Sequence, residues 1–160
     1  AFVGLQKTVK SLFRFLPNLI RGKYAIVEKD PFEKKGIRKL LNLGHTMGHV
    51  FESMHQMPHG QAVFFGMLFS LRFGLHQKLM TWNEFQKITD KLFSVGTHIT
   101  YQQAIQLPMA EVRKKLMQDK KMVSKQKIDF IFVRRLGKTF LKSITVDEII
   151  KELLRQQREL

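Results

Sequence analysis

The sequence predicts a mainly α-helical domain, bundle-like in form, with one small β-hairpin near its carboxyl end. A length of 160 residues and a hydrophobic fraction of 44% fit one globular unit with a single core. Apolar residues recur at helical spacing through most of the chain, and two short runs of β-branched and aromatic residues flank one turn. Without repeats or a low-complexity linker, residues 1–160 are predicted to form one domain.

The helices follow from apolar periodicity and from local start signals. Pro17 is expected to kink or end the first helix, and 28–35 reads as a charged loop. Thr81 with Glu84 forms a capping-box signature, as does the pair of residues 145 and 148. The predicted helices cover 5–20, 37–57, 59–78, 82–96, 110–120 and 146–154. The Phe-rich helix 59–78 is expected to lie in the core, and the hairpin joins 128–133 to 139–144.

Charge and cysteine content limit the possible functions. Lysine and arginine number 28 against 13 acidic residues, a net charge of +15 that is compatible with nucleic-acid binding. No zinc-finger, RNA-recognition or basic-zipper pattern occurs, so a solvated basic surface with an anion pocket is the preferred interpretation. The absence of cysteine excludes disulfides and thiolate-ligated zinc, and a cytoplasmic location is expected.

No signal peptide is recognised at the amino end. The most apolar stretch, 62–75, contains Ser70 and Arg72 and is shorter than the roughly 20 residues of a membrane span. No membrane partner is therefore expected.

A polar stripe is the main candidate for function. On one helix, steps of four, three and four residues would place four side chains along one face: Arg38, Asn42, His45 and His49. His59 follows the helix-breaking Pro58 and can return toward that face. Two imidazoles one turn apart suit a zinc ion, and Gly44 and Gly48 allow close approach. The stripe predicts a metal and anion pocket, with structural histidines in a buried helix as the alternative.

The motif resembles the core of a known enzyme family. From residue 38 the chain reads Arg-x-x-x-Asn-x-Gly-His-Thr-x-Gly-His-x-x-Glu, and from residue 59 His-Gly-x-Ala-Val-x-x-Gly-Met. These runs resemble the 3-dehydroquinate synthase family and, more broadly, the sugar-phosphate cyclases. A lead-in that starts at Lys23 and an Asp-Lys-Lys segment at 119–121, before the hairpin, extend the resemblance over most of the chain.

The resemblance implies a metal site and catalytic residues. His45 and His59 match the two histidine ligands of a divalent metal, most often zinc. His49 matches a histidine of the substrate pocket that moves protons, and it is predicted to be catalytic together with Asn42 and Arg38. Neutral imidazoles suit zinc, which can polarise a substrate hydroxyl.

The resemblance also implies an anion-binding set around the substrate. Lys23, Arg38 and Asn42 match residues that hold the substrate's carboxylate, hydroxyls and phosphate. Lys120 and Lys121 supply a further cation, and which of the two faces the pocket is left open. Cations around a phosphate fix its position and favour its departure.

In this family, 3-deoxy-D-arabino-heptulosonate 7-phosphate becomes 3-dehydroquinate plus phosphate, on the shikimate route to aromatic amino acids. This phosphate-eliminating lyase uses an enzyme-held NAD that transiently oxidises the substrate. No Gly-rich loop follows a strand here, so the resemblance implies a carboxyl-terminal domain whose NAD-binding N-terminal partner and third metal ligand precede Ala1. The isolated domain is expected to be inactive, to bind zinc weakly and NAD negligibly, and the full-length protein to be a homodimer.

One residue departs from the family pattern. Gln61 stands where the family has a glutamate, and a neutral amide cannot supply a carboxylate's charge near the metal. A degenerate, non-catalytic paralogue or another sugar-phosphate cyclase therefore stays an alternative, and a basic nucleic-acid-binding domain is the third. Asn42 and His49 match the dehydroquinate-forming members, which favours that activity.

Overall fold

The computed structural model describes residues 2–92, 99–118, 122–124 and 126–160, with side chains described for 13–92, 99–118 and 126–160. The chain divides into two compact units, Ala1–Leu41 and Asn42–Leu160. Helix α1 (Phe2–Lys29) forms most of the first unit, and a 3₁₀ turn covers Arg38–Asn42. The remaining elements are α2 (His45–His55), α3 (His59–His76), α4 (Trp82–Leu92), α5 (Tyr101–Ile105), α6 (Met109–Met117), β1 (Met122–Ser124), β2 (Lys127–Arg135), β3 (Lys138–Thr145) and α7 (Val146–Glu159).

Helix α1 is longer than predicted, because it continues through Pro17 to Lys29. A proline removes one backbone hydrogen bond and disfavours helical dihedrals at the residue before it, yet the helix continues on both sides of Pro17. The loop that follows is organised by the buried carboxylate of Asp30, which accepts the backbone N–H groups of Lys35 at 3.0 Å and Arg38 at 3.3 Å. These hydrogen bonds, that of Lys35 first, lower the pKa of Asp30.

The prediction of a single helix over 37–57 is wrong. Gly44 has a φ of 80° and separates the 3₁₀ turn from α2, so helical spacing cannot relate residues on its two sides. A Cβ on Gly44 would lie 2.6 Å from the Met67 backbone nitrogen, and a Cβ on Gly66 would lie 1.9 Å from the Gly44 oxygen. The two glycines therefore let the start of α2 lie directly against the middle of α3.

Helix α3 is the centre of the core, as predicted. Phe65, Phe69 and Phe73 are almost fully buried. The rings of Phe69 and Phe73 contact Phe130 of β2, with ring centroids 6.3 and 5.6 Å apart, so α3 packs between α2 and the sheet. Burial of several aromatic rings along one helix fixes the helix, and with it the side chains at its two ends.

The predicted hairpin is confirmed, and the mainly helical fold class with it. Strands β2 and β3 pair antiparallel, with Ile128 opposite Ile144, and Gly137 takes a φ of 74° in the turn. The short β1 adds a third strand beside β2, giving the order β1-β2-β3.

Two capping boxes set helix starts in the second half of the chain. Thr145 Oγ1 accepts the Glu148 N–H at 3.2 Å, and the Glu148 carboxylate accepts the Thr145 N–H at 2.7 Å, which lowers the pKa of Glu148. This box was predicted, whereas the box of Thr100 and Gln103 that starts α5 was missed. At the start of α4, Thr81 Oγ1 accepts the backbone N–H of residue 84 at 3.3 Å.

Other predicted boundaries differ by a few residues. Helix α6 ends at Met117 instead of residue 120, and α7 runs to Glu159 instead of residue 154, where Arg155 and Glu159 form an ion pair. The predicted end of the fourth helix near Gly96 lies outside the described residues. In the described part of the chain, every helix is too short or too polar to cross a lipid bilayer.

Candidate metal site

Three imidazole rings lie together where α2 and α3 begin. His45 is the first residue of α2, His49 follows one turn later, and His59 is the first residue of α3. The ring centroids are 5.7 Å apart for His45 and His49, 5.4 Å for His45 and His59, and 6.1 Å for His49 and His59. The three rings therefore lie close together at one end of the two helices.

The link between α2 and α3 produces this arrangement. Gln56 ends α2 in a left-handed conformation, with a φ of 50°, and Pro58 precedes α3 with its carbonyl accepting the backbone N–H groups of Gln61 and Ala62. A Cβ on Gly48 would lie 3.1 Å from the Val63 Cα, so the two helices are in close contact just beyond the link. The short turn and the close contact return His59 to the two histidines of α2.

Glu52 is a further member of the cluster. Its Oε2 atom lies 3.0 Å from Nδ1 of His59, and the two side chains are 39% and 54% exposed. His49, Glu52 and His59 each offer a donor atom, and these atoms lie within 4.8 Å of one another. The site assignment made from the sequence omitted Glu52, although its position three residues after His49 puts both on one side of the helix.

The donor set fits a divalent metal ion. Imidazole nitrogens are ligands that zinc takes in proteins, and a nearby carboxylate either joins them as a ligand or hydrogen-bonds to a ligating histidine. Nδ1 of His45 lies 3.3 Å from the carbonyl oxygen of Leu43, and with its proton on that nitrogen the ring carries its lone pair on Nε2. The partly exposed His59 makes the cluster accessible from solvent.

The predicted anion-binding residues are only partly described. Arg38 is exposed, and its Nη1 donates to the Pro31 carbonyl at 3.2 Å, while Lys23 is exposed on α1; both belong to the first compact unit. Asn42 is half-buried at the start of the second unit, which also holds the histidines. Lys120 and Lys121 lie outside the described residues. The convergence of these residues on one pocket stays a prediction.

Gln61, the departure from the family pattern, lies in the first turn of α3. Its Nε2 atom is buried and has no hydrogen-bond partner among the described residues. An unpaired buried amide costs about 1–3 kcal/mol, so this side chain does not stabilise its surroundings through that group.

The described residues do not form a main binding site for NAD. The sheet is antiparallel and three-stranded, whereas dinucleotide sites use a Gly-rich turn between a parallel strand and a helix. Residues of this chain are therefore given no role in chemistry that involves NAD.

The chain is similar to 3-dehydroquinate synthases. It is 36% identical over 135 residues to that of Campylobacter jejuni, covering 82% of this chain and 37% of the relative. For the Zymomonas mobilis enzyme the values are 34% over 136 residues, 81% and 36%, and for that of Bartonella bacilliformis 29% over 169 aligned residues, 98% and 45%. The chain thus spans less than half the length of these relatives.

Solved structures of two cyclases share the fold. A 2-deoxy-scyllo-inosose synthase with carbaglucose-6-phosphate, NAD⁺ and Co²⁺ superposes with a TM-score of 0.70 at 22% identity, covering 91% of this chain and 41% of that one. A 2-epi-5-epi-valiolone synthase from Streptomyces hygroscopicus with NAD⁺ and Zn²⁺ gives 0.67 at 18% identity, covering 92% and 41%. The family model described as 3-dehydroquinate synthase C-terminal matches residues 5–122. This chain therefore belongs to the 3-dehydroquinate synthase C-terminal family.

Proposed function

We propose that this chain is the metal- and substrate-binding domain of a 3-dehydroquinate synthase. The full protein would convert 3-deoxy-D-arabino-heptulosonate 7-phosphate to 3-dehydroquinate and phosphate, in the biosynthesis of aromatic amino acids. The observation that carries the proposal is the convergence of three imidazoles in a chain of this family, with ring centroids 5.4 to 6.1 Å apart.

In this proposal His45 and His59 hold a divalent metal, with zinc as the first candidate. When bound, the metal acts as a Lewis acid on a substrate hydroxyl. His49 lies beside both ligands, where its ring can accept or return a proton of a substrate held at the site. The ion found in the two related cyclases is Co²⁺ in one and Zn²⁺ in the other, which supports a divalent metal.

The substrate is an anion with a carboxylate and a phosphate. We assign its binding to Lys23, Arg38 and Asn42, together with Lys120 or Lys121. A guanidinium binds a carboxylate or phosphate through two parallel hydrogen bonds, and an amide bonds to hydroxyl groups. The net charge of +15 also favours an anionic substrate over a cationic one.

NAD would be bound mainly by an N-terminal domain joined to this chain in a longer protein. The coverage of less than half of each relative supports this arrangement. We expect the 160-residue chain alone to be inactive and to bind zinc weakly, and the longer protein to be a cytoplasmic homodimer.

The test uses the complete product of the gene that encodes this chain, supplied with NAD and zinc. Formation of 3-dehydroquinate with release of one phosphate is expected. His45→Ala and His59→Ala should abolish zinc retention in metal analysis, because each removes a ligand. Arg38→Ala should weaken binding of a phosphonate analogue of the substrate and leave the zinc content intact.

Two results would contradict the proposal. Unchanged zinc content in both histidine variants would remove the ligand assignment. Zinc and analogue binding without turnover would support the alternative of a degenerate paralogue, which the glutamine at position 61 left open.

A further inference from the structure

We infer that Glu52 is the positioning residue of the candidate metal site, holding His59 with Nδ1 protonated and Nε2 directed to the metal. The inference rests on the proposed function, because it takes His59 as a metal ligand. It assigns the carboxylate partner of that ligand to a residue of α2 rather than to position 61.

The contact has the geometry of a charge-assisted hydrogen bond. Nδ1 of His59 and Oε2 of Glu52 are 3.0 Å apart, within the range for an N–H donor and a carboxylate oxygen. A carboxylate can only accept, so Nδ1 is the donor and the lone pair of the neutral ring is on Nε2. Metal-binding histidines ordinarily use this arrangement, in which one nitrogen bonds to a carboxylate and the other to the metal.

The hydrogen bond also joins the two helices of the site. Glu52 lies one turn after His49 on α2, and His59 opens α3 beyond the break at Pro58. Because His59 is 54% exposed, packing alone leaves its ring free to take several rotamers. A contact to α2 selects the orientation that faces His45 and His49 on that same helix.

Gln61 does not orient the ring of His59 in the described structure. Its Nε2 is a donor without a partner among the described residues, and the carboxylate oxygen that accepts from His59 belongs to Glu52. The sequence left open whether the neutral residue at 61 alters metal affinity or ligand orientation. The structure shows that the imidazole keeps a carboxylate partner, so we expect metal binding to tolerate glutamine at this position.

The experiment measures the zinc affinity of the complete gene product by calorimetry. Glu52→Ala is expected to weaken binding about 10- to 100-fold, the usual effect of losing a ligand's outer partner. Glu52→Gln should fall between wild type and Glu52→Ala, because an amide oxygen still accepts from Nδ1. Glu111→Ala, which removes an exposed glutamate of α6, is the matched control and should bind as wild type does.

A second measurement does not depend on the metal. ¹⁵N NMR of the metal-free chain, at a pH of about 8 where histidines are neutral, reports which nitrogen carries the proton. His59 should carry it on Nδ1 in wild type and in Glu52→Gln, and should shift toward the Nε2-protonated form in Glu52→Ala. Circular dichroism verifies that the variants are folded.

The outcomes separate this inference from the proposed function. If Glu52→Ala matches Glu111→Ala in zinc affinity and in the His59 tautomer, the positioning role is refuted. If Co²⁺ spectra show that Glu52→Ala lowers the number of protein ligands, Glu52 is itself a ligand, and the inference is also refuted. If His45→Ala and His59→Ala retain zinc, the proposed metal site fails, whatever Glu52 does to the tautomer.

Discussion

Helix α3 begins and ends with a histidine that faces a glutamate, and the two pairs differ in surroundings. At the start, Nδ1 of His59 is 3.0 Å from Glu52, with side chains 54% and 39% exposed. At the end, Nδ1 of His76 is 2.7 Å from Glu152, with side chains 11% and 4% exposed. The same chemical pair therefore occurs once at an accessible site and once inside the fold.

The buried pair is tied to further partners on several helices. Nε2 of His76 also contacts Glu159 at 3.1 Å, so both ring nitrogens are engaged. Glu152 accepts from Nε2 of Gln156 at 2.5 Å, and the fully buried Gln156 accepts the Tyr101 hydroxyl and donates to the Phe69 carbonyl. Burial raises the pKa of Glu152, and its effect exceeds the lowering by Gln156, His76 and Arg155.

The difference shows that residue type alone does not determine whether a histidine–glutamate pair is structural or belongs to a ligand site. Both ring nitrogens of His76 contact glutamates and its side chain is mostly buried, so no position is left for a ligand. This pair therefore connects α3 to α7. At His59 the glutamate orients a ring that stays accessible, which is what a metal site needs. Four experiments test this distinction, from the largest expected effect to the smallest.

Glu152→Ala should lower the free energy of unfolding by about 3–5 kcal/mol, because it leaves His76 and Gln156 without their buried partner. Urea denaturation followed by circular dichroism measures the change. Glu52→Ala, the equivalent change in the exposed pair, should cost less than about 1 kcal/mol. Equal losses for the two variants would show that burial does not separate the pairs.

The effects on zinc affinity should be the reverse of the effects on stability, large at His59 and small at His76. In the complete gene product, His59→Ala should weaken zinc binding by more than about 100-fold, since a direct ligand contributes more than an outer partner. His76→Ala should leave zinc affinity within about 3-fold of wild type while lowering stability. Comparable zinc losses in both variants would contradict the assignment of His76 as structural.

Two buried amides provide a third contrast, since Gln156 is fully paired and the Nε2 of Gln61 has no partner among the described residues. Gln61→Met should raise the free energy of unfolding by about 1 kcal/mol, because it removes an unpaired buried donor at similar volume. Gln86→Met, at an exposed position of α4, is the matched control and should change it little. A destabilised Gln61→Met would show that the amide has a partner after all.

The smallest expected effect is on the pH dependence of stability. In the folded protein the pKa of Glu152 is raised from its ordinary value of 4.5. As pH rises, Glu152 therefore loses its proton in the unfolded chain before it does so in the folded protein, and the folded state binds more protons above about pH 4.5. The stability of wild type relative to Glu152→Gln is fully present below about pH 4.5 and should fall as pH rises through the folded pKa. Stability is measured only up to about pH 6, because most histidine titration takes place above that pH.

His76 and Arg155 are the cations near Glu152, and both oppose the effect of burial. A stability difference that grows between pH 4.5 and about 6 would mean that these charges outweigh burial. The buried pair would then resemble a strong ion pair, and the contrast with His59 and Glu52 would rest on exposure alone.

Much of the fold could be predicted because its signals are local. The Thr145 and Glu148 capping box, the strand pair around Gly137 and the Phe-rich α3 each depend on residues close together in sequence. The break at Gly44 could not be predicted in this way. It depends on the close approach of Gly66, 22 residues further along, whereas the local pattern favoured one continuous helix.

The sequence by itself determined the family motif, the helical periodicity and the identity of the three histidines, because these are properties of residue type and spacing. Only the tertiary structure decided which glutamate bonds to which histidine, since Glu52 and Glu152 meet their partners across helix packing. Burial is likewise a property of the packed chain. It makes one pair an accessible candidate metal site and the other an internal connection.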